Sequence, residues 1–570
     1  MKLRRKITIS TFRHRLASIN SVPQFAVLGV ASGIVTGVVI IGFRLLLEWP
    51  LNQLVGDPEG FEALGLPWVI LLPIAGALAI LAILALFDDK DRQVGVVHVL
   101  ERLDRHQGHL PVRNALLQFV TGAIALASGQ SGGREGPAIH LGAAGSSLIG
   151  SYLNLPNNSI RVLVGCGAAA AIAASFNTPI AGVIFSMEVI IMEYTIAGFV
   201  PVILAAVVAA LLAQLVFGTA TAFNVPSVSM ASLLDIPVVI IEGIFVGLVA
   251  VIFVRLLLFL YSVAPKSLAY RLIIAGTLTG LTAAAAPQVL GVGYDTVNLA
   301  LVGDLGIGIL LATITLKIAL SAAAIAFGMP VGIIGPTLFI GALAGGLFAL
   351  AAGSFAGLST DAFYVILGMG AMMGAVLQAP LAALMAVVEL TGNPAIILPA
   401  MLVIVIANLT ASHIFNIRSI FLMQMQTLGM EFRQNPLSMA LNRASVASIM
   451  SRNFVRVNQT MDLAAARQLL LTEHHWLMVD VNSKPKFILR FEDLARFLQD
   501  SPPEIIDLAE IPATRRDITG ILLQATLSEA LDTLNETGVQ ALYVNRISAP
   551  LLDSPVGIVT RQDLENFYQA

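Results

Sequence analysis

The stretch SGQSGGREGP, residues 128–137, has a counterpart in FGMPVGIIGP, residues 327–336. Gly129, Gly133, Gly136 and Pro137 align with Gly328, Gly332, Gly335 and Pro336 at an offset of 199. Five residues beyond each proline come Gly142 and Gly341. Farther along, Gly165-Cys166-Gly167-Ala168 answers Gly368-Met369-Gly370-Ala371 at an offset of 203, and Pro179 and Glu188 answer Pro380 and Glu389 at 201. Upstream, Gly33, Gly37 and Arg44-Leu45-Leu46-Leu47 answer Gly243, Gly247 and Arg255-Leu256-Leu257-Leu258. Low-complexity Gly/Ala sequence can mimic a repeat, but three blocks in one order at a nearly constant offset argue for two related halves, 25–220 and 236–425.

The medium around those halves follows from composition. Of 570 residues, 57% are hydrophobic and 12% charged, and mean hydropathy is +0.86. A soluble domain carries about 25% charge, so this chain is too poor in charge to cover a water-facing surface. Residues 194–234 and 318–360 contain no Asp, Glu, Lys or Arg. Residues 431–570 differ, with 17 acidic and 13 basic residues against 37 charges in the first 430. The chain therefore divides into a membrane body, 25–430, and a soluble tail. A net charge of −3 gives no reason to expect nucleic acid as a partner. The single cysteine, Cys166, excludes an internal disulfide and a cysteine-based zinc site, and its Gly/Ala surroundings suit a small packing residue.

Many apolar runs in the body are too short to span a bilayer, which takes about 20 residues. Residues 137–153, 162–174 and 179–192 are examples. Interrupted helices survive only where protein or an aqueous cavity covers their ends. Duplicated halves with broken helices place a substrate site near the midplane. The expected fold is an all-α polytopic membrane protein with inverted structural repeats and broken helices. The basic segment 1–24, with Lys2, Arg4, Arg5, Lys6, Arg13 and Arg15, reads as an uncleaved cytoplasmic start.

The chemistry centres on Gly133-Arg134-Glu135-Gly136-Pro137. Proline suits the first turn of a helix, where its missing N–H costs nothing. The glycines let free backbone N–H groups face a ligand, and those groups with the helix dipole favour an anion. Glu135 is itself an anion and can occupy that seat. A low-dielectric passage disfavours its charge, so it can take up a proton. A capping glutamate paired with Arg134 is the rival reading. Arg44, Lys317, Glu188, Glu389 and His140 must also face protein or water, and for most of them structural pairing is the simpler role. His140, five residues after Glu135, either modulates the gate or is a packing histidine.

The GREGP string at 133–137 resembles the CLC family of chloride channels and chloride/proton antiporters. The second-half element Gly332-Ile333-Ile334-Gly335-Pro336 and the string Phe176-Asn177-Thr178-Pro179-Ile180-Ala181-Gly182 resemble two further motifs of that family. The likeness covers about 20–425 and implies that Glu135 is the gating glutamate. It implies anion contacts from Val94, Gly133, Arg134, Gly136, Ile333, Ile334 and Phe421, with Ile333 and Ile334 acting through backbone N–H groups. Two positions depart from the pattern. In Gln93-Val94-Gly95-Val96-Val97-His98, Val94 takes the place of a serine. In Ser419-Ile420-Phe421, Phe421 lacks the tyrosine hydroxyl. Both side-chain donors of the central site are therefore expected to be missing, with weak anion binding as the consequence. A third departure is Val189, which stands where antiporters of the family often carry a second, proton-carrying glutamate.

In the tail, helices are expected at 462–471, 491–499, 527–536 and 561–568, and strands at 477–479, 487–489, 541–544 and 556–559. This repeat resembles a tandem pair of CBS domains, an α/β regulatory module, at 444–500 and 505–570. The resemblance implies an adenine nucleotide at Thr560 and Asp563, though both residues serve equally as N-cap and first-turn acid.

The reading is transmembrane transport of chloride and other small anions rather than catalysis, gated by Glu135 and requiring no cofactor or metal. Channel-like conduction is favoured by Val189. The alternative is a chloride/proton antiporter, which Glu135 alone permits. A receptor-like sensor signalling through its tail would need no broken-helix anion site. Homodimerisation, a bacterial inner membrane and cytoplasmic termini follow as expectations from the resemblance and the basic start.

Overall fold

The computed structural model describes residue 16 and residues 22–56, 60–219, 223, 225, 228–352, 359–430, 436–500, 503–546 and 555–569. The basic segment expected at 1–24 lies almost wholly outside them. The chain forms two compact units. One comprises Phe25–Tyr152 and Ile160–Phe432, and the other holds Arg433–Ala570 with Leu153–Ser159 and Met1–Gln24.

Among the described residues, eight helices are long and apolar enough to cross a membrane. Shorter apolar helices lie between them, among them Val112–Ala127, Leu268–Ala283, Asp361–Leu377 and Pro380–Thr391. The run expected at 162–174 belongs to a 20-residue helix, Asn157–Phe176, whose first turn is the polar Asn157-Asn158-Ser159. A polar turn escapes a hydropathy reading but still forms helix.

Small residues let the helices of each half approach backbone to backbone. A Cβ on Gly142 would lie 2.3 Å from the Gly167 carbonyl oxygen, and one on Gly341 would lie 2.4 Å from that of Gly368. Gly167, not Gly165, is thus the partner of Gly368. The glycine block repeats at the same offset of 201 as Pro179/Pro380, two residues from the motif alignment. A Cβ on Gly33 would lie 2.6 Å from the Ala205 carbonyl oxygen and one on Gly247 2.9 Å from that of Ala407, so Val22–Val55 and Asp235–Val263 each pack on a late helix of their own half.

The halves also exchange helix caps. Glu188 accepts from Leu381 N at 3.3 Å and Ala382 N at 2.8 Å, at the start of Pro380–Thr391. Glu389 accepts from Ile180 N at 3.0 Å and Ala181 N at 2.7 Å, at the start of Pro179–Phe185. Every partner is related by 201 residues. Both carboxylates therefore satisfy orphan N–H groups at a positive helix end, and their role is architectural.

The second unit carries a six-stranded sheet in the order β1-β3-β4-β6-β7-β8. Its strands are β1 (Phe454–Asn458), β3 (Trp476–Val481), β4 (Lys484–Arg490), β6 (Arg516–Leu522), β7 (Ala541–Asn545) and β8 (Pro555–Thr560); β2 (Thr460–Asp462) and β5 (Ile505–Asp507) pair separately. β1 is parallel to β3 and β3 antiparallel to β4; β6, β7 and β8 repeat that pattern. The copies join where Ile488 pairs with Arg516. Their leading segments cross over. Leu441, Ala444 and Val446 pack with Leu527, Leu542 and Val559 of the second copy, while Ile506, Leu508 and Ile511 pack with Leu477, Val479 and Leu489 of the first. Thr526 and Glu529 form a reciprocal cap on Leu527–Thr537, and Asn157 Nδ2 donates to Glu529 at 3.0 Å.

Candidate functional site: two broken helices meeting at a glycine pair

Gly133 N donates to the Gly332 carbonyl at 2.8 Å, and Gly332 N donates to the Gly133 carbonyl at 2.6 Å. These residues match at the offset of 199, so the relation between the halves passes between them. A Cβ on Gly332 would lie 2.4 Å from Gly136 N, and one on Gly136 2.8 Å from the Gly332 Cα. Side chains are excluded here by contact with backbone.

Directly behind this pair, the helices Glu135–Tyr152 and Ile334–Ala352 begin. Their first intrahelical bonds run from Ala138 N to Arg134 O and from Thr337 N to Ile333 O, each 3.1 Å. The N–H groups of Glu135, Gly136, Ile334 and Gly335 precede those bonds, and Pro137 and Pro336 have none to satisfy. Two helix N-termini therefore converge on one small volume, as anion binding requires.

The Glu135 carboxylate is enclosed there, with 1% of the residue exposed. A Cβ on Gly335 would lie 3.0 Å from its Oε1, and one on Gly332 2.9 Å from its Oε2, so the carboxylate rests against the second half's glycines. The Gly335 N–H and the Tyr294 hydroxyl are polar groups that face it. Arg134 does not hold it. Arg134 Nη1 pairs with Glu48 Oε1 at 3.2 Å, an oxygen shared with Arg44 Nε at 3.0 Å. The guanidinium lies over Phe176, 4.8 Å from its centroid. The ion-paired capping glutamate is not the arrangement found.

On one side lies a cavity of about 240 Å³ whose wall includes Val94, Gly136, Ile333, Ile334 and Phe421. On the other is a pocket of about 30 Å³ lined by Glu135, Phe176, Thr178, Ile334 and Leu338. Ile334 faces both, and the consecutive residues Glu135 and Gly136 face one each. These residues form the wall shared by the two spaces, and Glu135 is part of it.

Five of the expected anion residues thus come together. Gly133 supports them through the glycine pair, and Arg134 lines neither space. Val94 is the N-cap of Gly95–Arg105 and makes no side-chain cap bond. Phe421 is buried in the first turn of Ile420–Thr427. Val189 lies in the π-helical turn Ser186–Ile190, in an apolar cluster, and lines neither space. Lys317 Nζ donates to the Val289 and Gly291 carbonyls at 3.1 and 2.8 Å, a structural role. In the tail, Thr560 Oγ1 donates to Asp563 Oδ2 at 2.7 Å and Asp563 N donates back at 3.3 Å, which is the capping geometry.

Sequence reading missed Glu48, although its spacing of four from Arg44 was a signal. It also missed His98, which lines the larger cavity, and Glu242, which is fully buried with both carboxylate oxygens unpartnered.

Residues 75–412 match the family described as "Voltage gated chloride channel". A ClcB-like chloride channel protein of Ralstonia nicotianae is 30% identical over 393 residues, covering 65% of this chain and 90% of that protein. The fold matches a crystal structure of a slow cyanobacterial Cl⁻/H⁺ antiporter at a TM-score of 0.62 and 23% identity, covering 72% of this chain and 99% of that one. It also matches a eukaryotic CLC transporter at 0.55 and 17% identity, covering 96% and 98%.

Proposed function

This chain belongs to the voltage gated chloride channel family, and we propose that it moves chloride across a membrane in exchange for protons, with Glu135 as the proton-carrying gate. The observation that carries this is the enclosed Glu135 carboxylate, seated against Gly332 and Gly335 in the partition between two cavities.

The physical logic is competition. As a carboxylate, Glu135 supplies the negative charge that the two helix N-termini attract. An incoming chloride offers the same charge without a tether. When Glu135 takes a proton, its claim on the seat falls and the anion's does not. One proton thus accompanies the clearing of the path, and its release lets the carboxylate close it again. With no hydroxyl at Val94 or Phe421, backbone N–H groups carry more of the contact to the central anion.

Val189 favours channel-like conduction on sequence grounds. The exchange alternative is supported by the likeness of the fold to a solved Cl⁻/H⁺ antiporter, and in this reading Glu135 carries both events. The working unit in this reading is a homodimer with one path per subunit. It sits in a bacterial inner membrane with both termini cytoplasmic. The tail regulates, and an adenine nucleotide would bind at Thr560 and Asp563 once their mutual bonds open.

The test is made in liposomes holding the full-length protein. A chloride gradient should drive protons against their own gradient, at a fixed ratio to the chloride moved. Chloride current with no accompanying proton movement would restore the channel reading.

A further inference from the structure

The anion cavity has lost its two expected side-chain donors, yet one polar side chain on its wall is held in a fixed direction. His98 belongs to the first turn of Gly95–Arg105, four residues past Val94. Its Nδ1 lies 2.8 Å from His140 Nε2, and both rings are buried. His140 comes from Glu135–Tyr152, the helix that carries the gate. The rings lie 5.1 Å apart, centroid to centroid. Among the described residues His98 Nε2 has no hydrogen-bond partner, and His98 lines the cavity. His140 Nδ1, by contrast, is sealed in protein with no partner.

That difference selects a tautomer. If His98 donated from Nδ1, His140 would carry its proton on Nδ1, leaving a buried N–H without an acceptor. His98 would then turn a bare lone pair toward the anion. In the opposite arrangement His140 donates from Nε2 to His98 Nδ1. The sealed atom of His140 is then an acceptor, and orphan acceptors are tolerated better than orphan donors. His98 then turns an Nε2–H to the cavity. The second arrangement satisfies more groups and is the one an anion would choose.

We propose that His98 Nε2–H is the side-chain anion donor of this cavity, replacing the hydroxyls absent at Val94 and Phe421, and that His140 is the positioning residue that fixes its tautomer. The occupant is a small inorganic anion, chloride in the reading above. The inference rests on the anion-transport part of that reading and not on proton coupling. Other candidates on the wall suit the role less well. Arg92 is engaged by the Leu84 carbonyl at 2.9 Å and by Asp89. Gln424 can present either end of its amide, whereas the direction of His98 is set by its partner. Glu101 also lines the cavity and repels an anion, and Arg102 lies one turn beyond His98 and donates to the His109 carbonyl.

The repeat gives a second reason to read His140 this way. Its match at the offset of 199 is Phe339, which lies over the Lys317 ammonium. The helix does not need a histidine at this position to pack, so the ring nitrogen answers a demand made by the first half alone.

The test is chloride binding to purified full-length protein by calorimetry, with ¹⁵N spectra of the histidine rings. Wild-type His98 should show the Nε2–H tautomer, and its Nε2 signal should move on titration with chloride but not with gluconate. His98→Leu should weaken chloride binding about tenfold, the value of one lost hydrogen bond to a charged group. His98→Gln should keep binding within about threefold, because the amide restores a donor. His140→Phe should leave His98 a mixture of tautomers and weaken binding by about threefold. An Nδ1–H tautomer in the wild type, a chloride-insensitive Nε2 signal, or unchanged binding in a well-folded His98→Leu would each overturn the assignment. Chloride failing to bind the wild type at all would sink the anion reading along with it. A lack of proton movement in liposomes leaves this test intact, so the two failures are distinguishable.

Discussion

Gly133–Pro137 and Gly332–Pro336 occupy matched places in the two halves, share their glycines and proline, and pair with each other through two backbone hydrogen bonds. They differ in the side chains between the glycines: Arg134 and Glu135 in one, Ile333 and Ile334 in the other. What the halves share builds the fold, because it fixes backbone approach and helix starts. What only one half has is where we place the chemistry. Glu188 and Glu389 fall on the first side of that division, as mutual caps. Glu135 and His140, matched to Ile334 and Phe339, fall on the second.

The shared element is the more fragile. Gly332→Ala should push a methyl into Gly136 N and cost about 3 kcal/mol, enough to abolish a monodisperse peak in size-exclusion chromatography. Gly42→Ala, with nothing within 4 Å of the added carbon, should leave that peak intact. A stable Gly332→Ala protein would break the claim that the glycine pair is architecture.

A smaller effect is expected at the exchanged caps. Glu188→Gln and Glu389→Gln each weaken two charge-assisted bonds and should lower stability by about 1–3 kcal/mol. Thermal unfolding should give the two variants the same loss to within about 0.5 kcal/mol. A transport defect in only one of them would move that residue to the chemical side.

The smallest effect has the opposite sign. Glu242 matches Ser32, given the alignment of Gly243 with Gly33. Ser32 bonds to Ser146 Oγ at 2.5 Å, but the match of Ser146 is Gly345, which offers nothing. Glu242 is left without a partner. Glu242→Leu should therefore raise stability by about 1 kcal/mol, seen as a higher unfolding midpoint, with chloride flux unchanged. Loss of flux would assign Glu242 a function.

Much of this division is legible in sequence because glycine and proline act on their own backbone. The two starts at Gly133 and Gly332 and the strand–strand–helix ends of the tail repeats follow from local signals, whereas β1, β2, β5 and β6 are not anticipated by them and the sheet order is set by long-range pairing. Long-range partners are not legible. No spacing rule says that Arg134 pairs with Glu48, that Glu188 caps a helix almost two hundred residues away, or that His98 meets His140. The pairing of Gly167 with Gly368 corrects an alignment made on motif alone, because a run of Gly and Ala reads equally well in two registers and only packing chooses one.

In the proposed mechanism a single asymmetric carboxylate, Glu135, gates the path and carries the proton. The most direct test is Glu135→Gln in liposomes, with chloride and proton fluxes recorded together across a pH series. Glutamine keeps the shape and removes both the charge that competes for the seat and the group that takes the proton. The account predicts chloride flux that persists and no longer depends on pH, with proton movement reduced to background. A variant with the pH dependence and proton movement of the wild type would contradict it.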